Sequence, residues 1–135
     1  MTDDCPFCKI ASNEASASRV YEDGEVVAFL DFRPVSEGHT LVVTKRHYES
    51  IYEVPDGEVA YLFKIVKRVA LAVKKGVGAE GISIAQNNGR AANQVVFHVH
   101  VHVIPRYETR EAHRSLEAQE ASELERVAKK IRRFV

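Results

Sequence analysis

The sequence predicts an α+β domain in which an antiparallel sheet carries one long packed helix and a C-terminal helix. Three observations support this fold class. Valines alternate with histidines along Phe97–Arg106, which is typical of a β-strand with two different faces. Apolar residues recur at helical spacing over positions 59–73 and again over positions 121–131. At 135 residues, with 45% hydrophobic and 28% charged residues, the chain is long enough for one domain with a single core.

The N-terminal stretch contains a Cys-x-x-Cys motif, Cys5-Pro6-Phe7-Cys8. The small and polar residues from Ile10 to Ala17 predict one short helix and then a turn. Two cysteines in a chain expected in the cytosol favour metal or redox use over a structural disulfide. The motif alone is compatible with a redox pair, with half of a zinc site or with two unused thiols, because tetrahedral zinc needs two further ligands.

Three strands are predicted next, at Arg19–Glu22, Val26–Asp31 and His39–Thr44. The dipeptide Asp23-Gly24 lies between the first two strands and is a strong hairpin signal. A loop rich in turn-forming residues, Phe32–Gly38, connects the second strand to the third. The sequence therefore predicts an antiparallel start to the sheet.

A long helix is predicted over positions 59–73, with Asp56 or a neighbour as its N-cap and Gly76 as its end. Its apolar stripe indicates a core-facing helix. The next strand, Gly81–Gln86, is expected to pair with the histidine-bearing strand. The loop between them, Asn87–Gln94, is rich in Asn, Gly and Gln, and such loops expose backbone N–H groups that can hold phosphate.

The histidine-bearing strand places its histidines on one face and its valines on the other. Pro105 lacks an N–H and is predicted to close this strand. His98 and His102 would lie ~13 Å apart at ~3.3 Å per residue, too far for one ion with bonds of about 2 Å to nitrogen. A division of labour is therefore favoured, in which one imidazole is a nucleophile and its neighbours orient it or move protons. The opposing interpretation is a polar strand face with satisfied histidines.

The segment His98-Val99-His100-Val101-His102-Val103-Ile104 resembles the His-φ-His-φ-His-φ-φ motif of the histidine triad (HIT) superfamily of nucleotide hydrolases and transferases. Nearly the whole stretch from Cys5 to Arg106 resembles the short, Hint-like members. The resemblance implies a single HIT domain over residues 1–135, with its core at about 5–106 and a helical tail at about 107–135. It also implies a HIT-like fold whose sheet continues across a homodimer.

The resemblance implies catalytic roles for four histidines. The middle triad member, His100, would attack the α-phosphate and form a covalent nucleotidyl-histidine. His102 and His39 would stabilise phosphate charge or assist proton transfer, and His98 would support the row. His39 belongs to Gly38-His39-Thr40-Leu41-Val42-Val43, which resembles the family's Gly-His-x-Leu-Val segment.

The resemblance also implies a nucleotide pocket. Asp31 would take the ribose hydroxyls, because a carboxylate accepts from two vicinal hydroxyls at once. The residues at or near the base positions are Phe7, Ile10, Phe29, Phe32 and Leu41. Those implied at the phosphate are Asn87, Gln94 and the backbone of Val95 and Val96. Asn93 replaces a glycine of the Hint pattern and Val95 replaces its Ser or Thr, so the leaving-group preference is open.

Zinc-bearing short members use the cysteine pair, a histidine after the long hairpin and the first triad histidine as ligands. These positions correspond to Cys5, Cys8, His47 and His98. A closed four-ligand site of this type is structural, so the resemblance implies one structural zinc ion per chain and no organic cofactor. A solvated loop position is the alternative interpretation for His47.

The function expected from these residues is hydrolysis or nucleotidyl transfer at the α-phosphate of purine nucleotide derivatives, such as nucleoside phosphoramidates and adenylated amines. One alternative is a diadenosine polyphosphate hydrolase or phosphorylase, because the Fhit-like branch shares the pair Pro105-Arg106. Alternatives from other classes are a purine-nucleotide sensor without turnover and a zinc-stapled interaction module.

Charge and hydropathy exclude other classes. The formal net charge is zero, which offers no electrostatic case for nucleic acid or membrane binding. No apolar run approaches 18 residues, and Met1-Thr2-Asp3-Asp4 does not resemble a signal peptide, so a cytoplasmic location is expected. The basic residues at the end of the C-terminal stripe suit the helix dipole. His113 is expected to be solvated.

Overall fold

The computed structural model describes residues 4–108 and 117–135 and confirms the α+β fold class. The strands are β1 Arg19–Glu22, β2 Val26–Leu30, β3 Thr40–Thr44, β4 Gly81–Ala85 and β5 His100–Arg106. The helices are α1 Pro6–Ala11, α2 Asp56–Val77 and α3 Ala121–Arg132, with 3-10 turns at Ile51–Glu53 and Arg90–Ala92. The strands form one antiparallel sheet in the order β1-β2-β3-β5-β4. His113 lies outside the described residues.

The two faces of the sheet have different roles. Helices α2 and α3 cover one face, and the main core lies between them and the sheet. The three valines that alternate with the triad histidines, Val99, Val101 and Val103, are fully buried. On the opposite face, Val27, Phe29, Leu41 and Val43 are covered by Cys5 and Phe7 of the N-terminal segment. The predicted segregation of valines from histidines is therefore confirmed.

The histidine-bearing strand differs from the prediction at both ends. It begins at His100, because the Val99 N–H donates to the Tyr48 carbonyl at 2.7 Å. It also continues through Pro105, so the predicted end was wrong. The Ser36 hydroxyl donates to the Pro105 carbonyl at 2.6 Å. The N and O of one residue in an antiparallel strand point to the same side, so the missing N–H of Pro105 faces this loop and not β4.

The long helix differs from the prediction at its C-terminal end. Helix α2 has Pro55 as its N-cap, with Asp56 as its first residue, and it ends before Gly78, which has φ +69°. Gly76 therefore does not end the helix. A Cβ at Gly76 would lie 2.8 Å from Cα of Ile131, so this glycine permits the close approach of α3. None of the helices in residues 4–108 and 117–135 has the length and apolar character needed to span a membrane.

The short N-terminal helix starts earlier than predicted, at Pro6 instead of within positions 10–17. Two residues explain the shift. Cys5 is the N-cap, and its Sγ accepts the Cys8 N–H at 3.3 Å. Pro6 occupies the first helical position, where a backbone N–H would have no acceptor within the helix, so its absence costs no hydrogen bond. The cysteine motif is thus itself the start of α1, which lies on the histidine face of the sheet.

Candidate active site and metal cluster

The histidine face brings three imidazoles together. His100 and His102 lie on β5 with ring centroids 5.0 Å apart. His39 immediately precedes β3, and its ring centroid lies 5.2 Å from that of His102. The antiparallel register, which pairs Leu41 with His102, produces this approach. His39 and His100 are buried and His102 is half-buried. The structure thus brings together three of the four histidines that the sequence predicts as catalytic, and their roles stay a prediction.

Hydrogen bonds to the backbone assign the protons of two of the rings. His100 Nδ1 lies 2.7 Å from the His98 carbonyl oxygen, which only accepts, so Nδ1 carries the proton. His98 Nε2 lies 2.7 Å from the Thr44 carbonyl oxygen and carries its proton for the same reason. A neutral imidazole has a single N–H. The lone pairs of these rings are therefore on His100 Nε2 and on His98 Nδ1.

A chain of hydrogen bonds assigns the other two rings. The Val35 N–H donates to His39 Nδ1 at 3.0 Å, so the His39 proton is on Nε2. His39 Nε2 lies 3.0 Å from His102 Nδ1 and donates to it. His102 consequently carries its own proton on Nε2. The backbone of the 32–38 loop thus determines which nitrogen of His102 is a donor.

The electrostatics of the face keep these rings neutral near pH 7. Burial, and to a lesser extent the electrostatic influence of His102, Arg106 and His100, lowers the pKa of His39 to about 3. Burial likewise lowers the pKa of His98 to about 4. The pKa values of His100 and His102 also lie below the ordinary value, mainly through burial. The face therefore combines a neutral imidazole lone pair, on His100 Nε2, with a neighbouring N–H donor, on His102 Nε2.

Asp31 lies at the end of β2 beside this row. Its Oδ1 accepts the Arg33 N–H at 3.0 Å, and its Oδ2 lies 3.7 Å from His39 Nε2. Burial raises the pKa of this carboxyl above its ordinary value, although the Arg33 N–H acts in the opposite direction. A cavity of ≈ 410 Å³ opens beside Asp31 and His39 and is bounded on its far side by residues of α3. The Asp31 side chain therefore borders open space, where a carboxylate can accept hydrogen bonds from a ligand.

A second cluster of ligand atoms lies at the other end of the row. Cys8 Sγ lies 3.3 Å from His47 Nδ1 and 3.4 Å from His98 Nδ1, and Cys5 Sγ lies 3.3 Å from His98 Nδ1. His47 Nδ1 and His98 Nδ1 are 3.3 Å apart. Zinc bonds to nitrogen and sulfur at tetrahedral angles place neighbouring ligand atoms about 3.3–3.8 Å apart. The four residues predicted from the sequence as ligands thus converge with spacings that suit one tetrahedral ion.

The chemistry of these donors also fits zinc. The lone pair of His98 Nδ1 points into the cluster while its Nε2–H is held by Thr44, the usual support for a metal-bound imidazole. Burial, together with the neighbouring Cys5, raises the pKa of Cys8 to about 12. A divalent cation would supply the positive charge that a thiolate needs here.

Asp31, His39 and His102 also place three donor atoms within 4.8 Å of one another. The hydrogen bonds argue against a cation at this second group. A metal on His39 Nε2 would require a nitrogen without a proton, but Nδ1 of the same ring already accepts the Val35 N–H. His39 and His102 are better described as a hydrogen-bonded relay, with Asp31 Oδ2 beside it at 3.7 Å from His39 Nε2.

The predicted base-pocket residues are brought together only in part. Phe7, Phe29 and Leu41 form one buried cluster, and Ile10 packs against it. Phe32 is 53% exposed and lies outside this cluster; its carbonyl oxygen accepts the Gln119 N–H at 2.7 Å. The C-terminal segment is therefore bonded to the loop after Asp31 within the same chain.

The predicted phosphate loop is held by Gln94. Its Oε1 accepts the Gly89 N–H at 2.7 Å, and its Nε2 lies 2.6 Å from the Glu49 carbonyl and 3.0 Å from the Val96 carbonyl. Gln94 is buried, so in this structure its amide supports the loop, and a contact with phosphate stays a prediction. Asn93 has φ +70°, a conformation that asparagine tolerates better than most residues, which explains how it stands in for glycine.

The other loop residues point in different directions. Asn87 is half-buried and its carbonyl accepts from Gln86 Nε2 at 3.2 Å. Val96 packs against the Phe7 cluster, whereas the Val95 side chain is 84% exposed. Sequence reasoning missed Asn88, whose Oδ1 accepts the Ile51 N–H at 2.8 Å and joins this loop to the 3-10 turn after His47. Its polarity within the loop was the only signal.

The HIT domain family model matches residues 12–109. The chain belongs to the HIT domain family. This match covers most of the chain and includes the histidine row, Asp31 and the loop around Gln94.

Three proteins of this family are similar to the chain over most of its length. A HIT-like protein of Methanocaldococcus jannaschii is 53% identical over 104 residues, 77% of this chain and 80% of the relative. Adenylylsulfatase HINT3 of Arabidopsis thaliana is 40% identical over 108 residues, 80% of this chain and 55% of its own length. The crystal structure of a Zn-bound histidine triad family protein from Mycobacterium smegmatis is 36% identical with a TM-score of 0.86, over 98% of this chain and 94% of that one. The family thus includes at least one named hydrolase and one zinc-bound structure.

Proposed function

We propose that this HIT protein is a nucleotide hydrolase or nucleotidyltransferase that cleaves purine nucleotide derivatives at the α-phosphate through a nucleotidyl-histidine on His100. The observation that carries the proposal is the hydrogen bond from His100 Nδ1–H to the His98 carbonyl. It leaves an unprotonated Nε2 on a buried ring whose lowered pKa keeps it neutral. A nucleophile of this kind splits one difficult displacement into two easier ones.

In the first step His100 Nε2 forms a bond to the α-phosphorus as the bond to the leaving amine or oxygen breaks. The leaving group takes a proton from His102 Nε2–H, the donor that the His39 relay maintains, and a solvent proton replaces it, so that the half-buried His102 remains neutral. In the second step water forms a bond to phosphorus, the phosphorus–nitrogen bond breaks, and the water proton leaves to solvent. Asp31 would hold the ribose hydroxyls, with N–H groups of Val95 and Val96 at the phosphate oxygens.

A metal ion in the Cys5, Cys8, His47 and His98 cluster supports this proposal. The spacing of the ligand atoms and the zinc-bound relative both favour zinc. When bound, zinc would cross-link the N-terminal segment, the residues after β3 and the start of the histidine row. All four positions of a tetrahedral ion are filled by protein, so the ion is structural. Thiolate sites of this type favour reducing compartments, which supports a cytoplasmic location.

The substrate test compares three nucleotides with different leaving groups: adenosine 5′-phosphoramidate, adenylyl sulfate and a diadenosine polyphosphate. We expect AMP release from the phosphoramidate at the highest kcat/KM. The name of the HINT3 relative justifies adenylyl sulfate. Arg106, whose Nε–H donates to Ser83 Oγ at 3.0 Å, justifies the dinucleotide, because it supplies a cation near the end of the row.

The outcomes distinguish the candidate functions. A preference for the dinucleotide would favour the Fhit-like alternative, and faster turnover on adding inorganic phosphate would identify a phosphorylase. Tight AMP binding without turnover of any substrate would contradict the enzyme proposal and favour a nucleotide sensor. Liquid chromatography of the nucleotides and calorimetry with AMP provide both measurements.

We also propose a homodimer that forms through β4. This strand is at an edge of the sheet, so one row of its N–H and C=O groups is unpaired within the described chain. Ile84 on β4 and Leu71 on α2 are each about half exposed beside an apolar groove. A second copy would pair its own β4 with this edge and cover both side chains.

Substitution Ile84→Glu is expected to convert the dimer to a monomer, because it places a charge in the proposed apolar interface. Size-exclusion chromatography with light scattering measures the mass. Phe134→Glu is the matched control, since Phe134 is similarly exposed but follows α3. A wild-type protein that elutes as a monomer at high concentration would contradict the proposal.

A further inference from the structure

Phe7 connects the metal cluster with the candidate nucleophile. It stands between the two cysteines in sequence, and its ring is 8% exposed. The ring centroid lies 5.1 Å from that of His100, 6.0 Å from that of His98 and 5.4 Å from that of Phe29, in edge-to-face arrangements. One side chain therefore contacts a metal-cluster residue, the proposed nucleophile and the predicted base pocket.

The segment that carries Phe7 has little stability of its own. Helix α1 has six residues, and isolated helices shorter than about 12 residues are marginal in water. Its position depends on the burial of Phe7 and on the attachment of Cys5 and Cys8. A metal ion bound to these cysteines, His47 and His98 would hold the segment against the sheet.

His98 provides a second connection. Its ring contributes Nδ1 to the metal cluster, and its backbone carbonyl accepts the His100 Nδ1–H. Any shift of His98 that follows loss of the metal would also move the group that orients the nucleophile. Ring and carbonyl belong to one residue, so a displacement of the His98 backbone changes both sites at once.

We propose that the metal-bound Cys5–Cys8 segment is a positioning element for the nucleotide site. Metal binding docks Phe7 against His100 and fixes the His98 carbonyl, so that zinc and nucleotide bind with positive coupling. The inference rests on the proposed function, because it takes the nucleotide to bind at His100. Coupling between two ligands is reciprocal, so nucleotide must increase zinc affinity by the factor by which zinc increases nucleotide affinity.

The first test measures the zinc dissociation constant of the full chain by chelator competition, without AMP and with saturating AMP. We expect AMP to tighten zinc binding about tenfold. In Phe7→Leu, which keeps an apolar side chain but loses the ring contacts, we expect one zinc per chain and a coupling of about twofold or less. Equal zinc affinity with and without bound AMP would overturn the inference.

A second readout does not depend on nucleotide. Diethylpyrocarbonate labels accessible neutral imidazoles, and mass spectrometry maps the labelled residues. Zinc removal is expected to increase the labelling rate of His100 roughly tenfold as Phe7 leaves, while His102, which is half-buried and further along the row, serves as an internal reference. In Phe7→Ala we expect fast labelling of His100 with zinc present.

The two readouts separate the possible failures. If AMP does not bind at all, the proposed function fails, and His100 labelling still decides whether the metal positions the ring. If AMP binds, but zinc removal leaves His100 labelling unchanged and AMP leaves zinc affinity unchanged, the proposed function survives and the coupling is wrong.

Discussion

Substitution His100→Ala is expected to abolish the covalent intermediate and to lower kcat/KM for adenosine 5′-phosphoramidate by at least about a thousandfold. Among the described residues, His100 is the only triad histidine whose unprotonated nitrogen, Nε2, accepts no hydrogen bond in the assigned tautomers. The substitution removes this nitrogen. Intact-mass spectrometry after a brief incubation with substrate measures the adduct, which should be present in the wild type and absent in the variant.

The matched control is His102→Gln, at the adjacent position of the same face. It removes a proton donor and leaves the nucleophile, so we expect an adduct that forms roughly a hundredfold more slowly. His100→Ala should still bind AMP, because Asp31 and Phe29 are unchanged. An adduct on the His100→Ala protein, or one mapped to His102 in the wild type, would contradict the assignment of His100 as the nucleophile.

The sequence was sufficient to predict those parts of the site in which the residue type carries the chemistry. Histidines at every second position share a face of a strand whatever the remaining chain does, and the buried valines confirm that geometry. The approach of His47 to the cysteine pair was not a consequence of local spacing, since 39 residues separate it from Cys8. That placement followed from the family resemblance.

The parts that could not be predicted depend on backbone atoms. The tautomers of His98 and His39 are set by the Thr44 carbonyl and the Val35 N–H, groups that every such residue possesses. No sequence signal distinguishes them. The same limit explains why the strand was wrongly predicted to end at Pro105. The missing N–H of Pro105 faces away from β4, and the sequence does not show which side of the strand it faces.

Glycine and aromatic positions show a related limit. Gly76 was predicted to end α2 because glycine commonly does so, but contact with Ile131 of α3 is the reason for its small size here. Phe32 was grouped with the base pocket by position; its ring is exposed beside the Arg33 guanidinium and its carbonyl accepts the Gln119 N–H, so a contact with a base stays a prediction. Long-range packing decided the role of Gly76.

Substitution Cys5→Ser is expected to reduce bound zinc from about one equivalent per chain to a small fraction and to lower the melting temperature by about 10 °C. A metal present at about a thousandfold above its dissociation constant stabilises the folded state by about 4 kcal/mol. For a chain of this size each kcal/mol corresponds to about 2–4 °C. Plasma emission spectrometry of protein purified without added zinc, together with calorimetric melting, provides the measurements.

Ser12→Ala is the matched control, because Ser12 caps the other end of α1 and its hydroxyl is exposed. This variant should retain zinc and melt at a temperature close to that of the wild type. A strong chelator should lower the melting temperature of the wild type to that of Cys5→Ser and leave the melting temperature of the variant unchanged, since chelator and substitution remove the same cross-link. Freshly purified wild type without metal, or equal melting of the wild type with and without chelator, would contradict a zinc ion at this cluster. A variant that loses zinc yet melts like the wild type would show instead that burial of Phe7 alone holds α1 on the sheet.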